Sequence, residues 1–253
     1  MTVHKEPRRI SGRPPEIAIP FENILTSGCS FTFNNSAEHI CTWPFFLRDL
    51  ASSNVLDCSQ SGAGTNHIFN SIINEIENNP KITPENTLVI VMWSGLSRTD
   101  VIAPREITKD WHFMSNYNFN STHSTFSIFN HIDDSSNDDI SKLCRMYKKI
   151  VGIDSQIYES CIKIVALEAY LNAKGFKFVF TEYQDISSEF SIINEPIASA
   201  ASNAIAKLTS VGEYSTAINE LEPDGHPLPE GHLLWTRHCL MPYLIKNGMA
   251  SAV

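Results

Sequence analysis

No run of about 18 consecutive apolar residues occurs in these 253 residues, so the sequence encodes no membrane-spanning helix. The six cysteines (Cys29, Cys41, Cys58, Cys144, Cys161 and Cys239) form no C-x-x-C pair, and zinc-ribbon spacing is absent. They are expected to be reduced, buried thiols. Positive charge is scarce. Lys plus Arg number 19 against 28 Asp plus Glu, a net charge of −9. Such a chain is a poor ligand for a polyanion, which argues against nucleic acid as its partner. The first 20 residues carry Lys5, Arg8, Arg9, Arg13 and four prolines with no apolar run behind them. A secretory signal needs that run, so the expected location is cytoplasmic, and residues 1–20 read as an extended arm before a domain over 21–253.

The composition that remains is globular: 42% apolar and 19% charged residues, too apolar for a disordered chain. At this length roughly three quarters of the unfolded surface can be buried, so no staple is required. Four short apolar runs predict buried strands: Ile24–Thr26, Val55–Cys58, Leu88–Trp93 and Phe176–Thr181. Helical patterns alternate with them. Thr42 is placed to start one helix that runs to Leu50 with Pro44 in its first turn. A second runs from Asn66 to Glu77 with Ile68, Ile72 and Ile76 inward. In a third, 154–174, Ile157, Cys161, Ile164, Leu167 and Leu171 share one face, and Gly175 stops it. A last helix is expected over Pro229–Ile245. This alternation predicts an α/β fold: a parallel sheet with helices on both faces and right-handed crossovers. Residues 101–150 break the alternation. Rich in Asn, Ser, Asp, His and aromatics, they read as an insertion, and loops of that length often act as lids. Asp133, Asp134, Asp138 and Asp139 lack the Gly and Glu of a calcium loop and read as a solvated acidic segment.

In an open parallel sheet, ligands bind beyond the carboxyl ends of the strands. The segments there are Ser27–Thr32, Ser59–Asn66 and Ser94–Arg98, all small and polar. Near the C-terminus lies Glu222-Pro223-Asp224-Gly225-His226. Together they hold the parts of acyl transfer. A serine hydroxyl is a weak nucleophile that needs a neighbouring base. An imidazole, with an ordinary pKa of about 6.5, can take its proton. A carboxylate can fix the imidazole tautomer, and Gly-rich backbone can present N–H groups to an oxyanion. Taken singly, each part has a plainer use: Ser30 as a helix cap, Gly62 and Gly64 as a turn, His226 as a loop histidine.

These loops resemble the separated blocks of the SGNH, or GDSL-type, hydrolase family. Gly28-Cys29-Ser30 matches its Gly-Asp-Ser block, which makes Ser30 the nucleophile by resemblance. The glycine of the second block matches Gly64, with Gly62 as the alternative. Gly95-Leu96-Ser97-Arg98 aligns with the Gly-x-Asn-Asp block. His226 matches the histidine of the last block, and His226-Pro227 through Gly231-His232 is similar to a His-Pro-x-x-x-Gly-His tail. The Gly-Cys-Ser-Phe-Thr opening and the Trp93-Ser94 to Arg98 pattern resemble a divergent phage and bacterial branch. The resemblance spans about residues 23–240. It implies a three-layer sandwich with a central parallel sheet, flavodoxin-like, as a single domain with the 101–150 insertion. It implies a serine hydrolase that cleaves or transfers an acyl ester through Ser30, His226 and Asp224. Gly64, Asn66, Ser97 and Arg98 become the oxyanion and substrate-binding candidates. The implied partner is a small-molecule or glycan acyl ester, with no cofactor and no metal.

The sequence departs from the family pattern in three places. Cys29 replaces the Asp of the first block. Ser97 stands where the oxyanion-hole Asn would be, followed by Arg98 rather than Asp. Pro223 stands three residues before His226, so the acid is Asp224 or Glu222. Arg98 suits either a substrate carboxylate or phosphate, or a structural ion pair. Four other readings compete: an SGNH-fold binding domain without activity, a nucleotide-binding enzyme, a metal site at His226, His232 and His238, and a thiol nucleophile at Cys29.

Overall fold

The computed structural model describes residues 15–34, 41–104, 117–118, 123–128 and 139–253. The chain enters through strand β1 (Ile17–Ala18), which pairs antiparallel with the last strand, β9 (Ser251–Ala252), so both ends of the described chain are tied together. Arg237 reinforces this closure with two hydrogen bonds to the Glu16 carboxylate, at 3.1 and 2.5 Å. The expected arm therefore ends in a strand, while residues 1–14 lie outside the described residues.

The central sheet is parallel throughout. It comprises β2 (Asn23–Ser27), β3 (Asn54–Asp57), β4 (Thr87–Trp93) and β8 (Lys177–Glu182), in the order β3-β2-β4-β8. Each strand lies within one residue of its predicted place. Every residue of β2 and β4 is buried, as continuous apolar runs require of strands covered on both faces. β3 forms an edge and is only half buried. Along the far side of β8, Ala206 donates its N–H to the Phe180 carbonyl at 2.7 Å.

Helices flank this sheet. α1 (Trp43–Ala51) carries Pro44 in its first turn, where the missing N–H costs nothing. α2 (Thr65–Asn78) buries Ile68, Ile72 and Ile76. α4 (Ile153–Lys174) packs against α2 and buries Ile157, Cys161, Ile164, Leu167 and Leu171. Gly175 ends it in the left-handed conformation. Full burial of one such Leu or Ile contributes roughly 1.5–3 kcal/mol. The predicted last helix is divided into a helix over Pro229–Trp235, a five-residue π turn over Thr236–Leu240, and a helix over Met241–Lys246.

The segment after β4 differs from its reading as a loop. β5 (Thr99–Pro104), β6 (Tyr117–Asn118) and β7 (His123–Ile128) form a separate antiparallel sheet in the order β5-β7-β6, followed by α3 (Asp139–Ile150). Its strands mix polar and apolar residues and lack the unbroken apolar run of β4, so their pairing is set by partners distant in sequence rather than by an apolar signature. The aromatics Trp111, His112, Phe113 and Phe119, the acids Asp133, Asp134 and Asp138, and any lid that they form lie outside the described residues.

Candidate active site

Parallel register brings the ends of β2, β3, β4 and β8 to one edge of the sheet. The order β3-β2-β4 reverses direction about β2, so β2 and β4 flank a topological switch point, where such sheets bind ligands. Ser30 lies three residues past β2 in a tight turn, with the Thr32 and Phe33 N–H groups both on the Cys29 carbonyl at 2.9 Å. That turn is braced from α1. Thr42 donates its hydroxyl to the Thr32 carbonyl at 2.5 Å, and the Trp43 indole donates to the Thr32 hydroxyl at 3.2 Å. Thr42 makes no side-chain bond to its own helix, so it acts as a brace rather than a cap. No helix begins at Ser30 among the described residues, which leaves its hydroxyl for another partner.

That partner is His226, whose Nε2 lies 2.8 Å from Ser30 Oγ across 196 residues of chain. His226 projects from a closed turn. The Gly225 N–H reaches the Glu222 carbonyl at 2.9 Å, and the Glu222 N–H reaches the His226 carbonyl at 2.7 Å. Gly225 has φ 86°, which a side chain would strain, although the space around it is open. The turn sets Asp224 against the histidine twice. Its Oδ1 accepts the His226 backbone N–H at 3.0 Å, and its Oδ2 lies 3.0 Å from Nδ1. The second contact has the distance of an ion pair but lies off the line of a ring N–H, and Nδ1 is buried with no directed hydrogen bond. These bonds hold the Asp224 carboxyl below the usual carboxylate range, the backbone N–H of His226 contributing most. Glu222 does not reach the ring; it lines a neighbouring cavity.

Two cavities meet at the Ser30–His226 pair. One, of about 430 Å³, is walled by Phe31, Gly62, Arg98, Tyr183 and Gln184. The other, of about 390 Å³, is walled by Phe33, Cys41, Thr42, Pro227 and His232. Ring contacts run around the first. The Arg98 guanidinium carbon lies 5.1 Å from the Tyr183 ring centre, Tyr183 meets Phe31 edge-on at 5.0 Å, and Phe31 meets the His226 ring at 5.0 Å.

The other sequence candidates stand elsewhere. The Gly64 N–H donates to Asp100 Oδ1 at 2.9 Å, and the His67 N–H donates to Asp100 Oδ2 at 2.8 Å. Asp100, buried on β5, thus caps α2 from outside that helix. A Cβ at Gly64 would collide with the Arg98 carbonyl, so the glycine is required by close backbone approach. Asn66 donates to the Asp100 carbonyl at 2.7 Å. The Ser97 N–H donates to Glu189 Oε2 at 3.1 Å, and Ser97 borders neither cavity. Of the two glycines weighed for the second block, Gly62 lines the cavity and Gly64 does not. Cys29 is fully buried and burial pushes its thiol up, the state of a core atom. His238 bonds Tyr214 at 2.6 Å and His232 is buried. Among the described residues, no three His, Cys, Asp or Glu side chains gather as a metal site would require.

Tyr183, Gln184 and Glu189 belong to no motif of the sequence. Position is the signal for the first two, since Tyr183 and Gln184 directly follow β8, at the carboxyl end of a sheet strand. For Glu189 the sequence carries no signal, since its partner is a backbone N–H 92 residues away. No helix among the described residues is long and apolar enough to cross a membrane.

No protein-family model and no curated protein matches this sequence. Solved structures similar to it include the psychrotrophic esterase EstA from Pseudoalteromonas sp., at 12% identity and TM-score 0.47, covering 90% of this chain and 98% of that one. Another is the YxiM protein of Bacillus subtilis, at 12% identity and TM-score 0.46, covering 91% of this chain and 58% of that one. At these scores the likeness carries no functional weight.

Proposed function

We propose that this chain is a serine hydrolase of the SGNH type that cleaves or transfers an acyl ester through an acyl-enzyme on Ser30. The observation that carries this reading is the 2.8 Å approach of His226 Nε2 to Ser30 Oγ at the mouth of two cavities, with Asp224 on the far side of the ring. Ser30 attacks the ester carbonyl while Nε2 takes its proton. The proton then passes to the leaving alcohol. Water, or an acceptor alcohol in the transfer case, repeats the sequence on the acyl-enzyme. Asp224 favours the tautomer with its proton on Nδ1 and stabilises the imidazolium.

The oxyanion donors in this reading are the backbone N–H groups of Ser30 and Gly62, since those of Gly64 and Ser97 serve Asp100 and Glu189. The same engaged donors favour the second reading, a domain that retained the fold and binds without catalysis. Labelling with a fluorophosphonate separates the two. The wild-type chain should be modified at Ser30, and Ser30→Ala should lose at least about a thousandfold in 4-nitrophenyl butyrate hydrolysis. An unlabelled wild-type chain, or a Ser30→Ala variant with more than about a tenth of the rate, rules out the hydrolase.

A further inference from the structure

The first cavity holds more polar equipment than acyl transfer uses. Among the described residues around it, Arg98 carries the permanent positive charge, and Asp224 is already committed to His226. Tyr183 lies under the guanidinium at 5.1 Å and is itself held edge-on by Phe31. A guanidinium over an aromatic face is attracted by the ring, which steadies this long side chain in the cavity wall. Five donors in a planar fork suit a carboxylate or phosphate, the groups that arginine grips in two places. The backbone at Arg98 is pinned as well. Its N–H reaches the Gly95 carbonyl at 3.0 Å, its carbonyl accepts from Thr65 at 3.4 Å, and Ser160 holds the Leu96 carbonyl at 2.6 Å.

We infer that Arg98, stacked on Tyr183, is an anion subsite, and that the ester processed at Ser30 carries a carboxylate or phosphate on the portion lying in the first cavity. This rests on the hydrolase reading for the ester and on the cavity geometry for the anion. Glu189 is the nearby acid that would compete for Arg98. Its carboxylate accepts the Ser97 N–H; burial pushes its carboxyl up and the charge of Arg98 pulls it back down, so the two side chains already attract one another. The guanidinium fork can serve Glu189 and a bound anion together. The second cavity, walled by Phe33, Pro227 and Pro229 as well as Glu222 and His232, is the less polar of the two and takes the other half of the ester.

The test uses matched ester pairs with the full-length chain, after subtraction of spontaneous hydrolysis. On the acyl side the pair is 4-nitrophenyl hemiglutarate and 4-nitrophenyl pentanoate. On the alcohol side it is 3-(4-acetoxyphenyl)propanoate and its methyl ester. In one pair the anionic member should have the higher kcat/KM, by about tenfold, and that pair identifies which half enters the first cavity. Arg98→Gln should bring the ratio close to one, and Arg98→Lys should retain part of it. Ratios at or below one in both pairs, or a preference that survives Arg98→Gln, overturn the anion subsite while leaving the hydrolase intact. A chain that turns over none of the four esters overturns the hydrolase instead. In that event titration of Ser30→Ala with glutarate still decides the subsite: binding weakened about tenfold by Arg98→Gln upholds it, and no binding, or binding indifferent to Arg98, overturns it.

Discussion

At the scale of single residues, the candidate triad is asymmetric. The Ser30–His226 contact is short, whereas Asp224 is 68% exposed and lies off the line of the Nδ1–H. A carboxylate in water stabilises an imidazolium less than a buried, aligned one does. Loss of a buried triad acid costs about ten-thousandfold in rate. Asp224→Asn should therefore cost far less, roughly ten- to a hundredfold in kcat. Glu222→Gln should cost less than about threefold, because the carboxylate against the ring is that of Asp224, not Glu222. Steady-state kinetics on a neutral ester compares the two. A larger loss from the Glu222 variant would transfer the acid's role to that residue.

Among the elements, α2 depends on β5. Gly64 at its N-cap has no side chain to accept the first N–H groups, and Asp100 accepts two of them from a strand of the other sheet. The antiparallel sheet is thereby anchored next to the switch point, and the loop carrying Gly62 is held between Asp100 and the Gln60 N–H contact to the Gly28 carbonyl, at 3.0 Å. Asp100→Ala leaves two N–H groups without their acceptor. The expected loss is about 1–3 kcal/mol of stability, read as a lower urea midpoint with an unchanged slope. Activity measured well below the midpoint should fall too, since the Gly62 backbone moves with the start of that helix. A variant as stable as the wild type would remove the cap.

Over the whole molecule, a buried histidine and a half-buried glutamate pull stability in opposite directions with pH. Burial pushes His232 down to about 3, with the charge of His226 adding to the effect, and its Nδ1 has no hydrogen-bond partner among the described residues. The unfolded chain takes up a proton here near pH 6.5 and the folded chain near 3. The stability this contributes is complete above 6.5 and is lost as the pH falls toward 3. Glu182 is pushed up to about 7, mainly by burial, from an unfolded value near 4.5. Its contribution is complete below 4.5 and is lost as the pH rises through 7. Between pH 7 and 5 the unfolded chain's uptake of a proton at His232 costs roughly 2 kcal/mol, and the folded chain's uptake at Glu182 returns about as much. The two offset each other, so net stability should change by less than about 1 kcal/mol across that window. Urea titrations at the two values check this, and His232→Gln should leave the chain more stable at pH 5 than at 7. A wild-type chain that changes by more than about 2 kcal/mol between the two values would show that another group dominates.

The parts legible in the sequence are those decided by neighbours in the chain. Leu88–Trp93 reads as a central strand because an unbroken apolar run tolerates water on neither face. Ile157, Cys161, Ile164, Leu167 and Leu171 read as one helical face because 3.6 residues make a turn. The Asp224-Gly225-His226 turn was legible because its atoms lie within a few residues of each other. Tertiary structure decided what depends on separations of tens to hundreds of residues. It set Ser30 against His226, sent the Gly64 N–H to Asp100 and the Ser97 N–H to Glu189, and brought Arg98 over Tyr183. A backbone N–H is identical at every position of the sequence, and what it donates to is chosen by packing. Ser30 and His226 were therefore legible as candidates from residue type and place in the chain. Which backbone N–H groups face the cavity, and what forms its floor, were set only when the sheet and its helices closed around them.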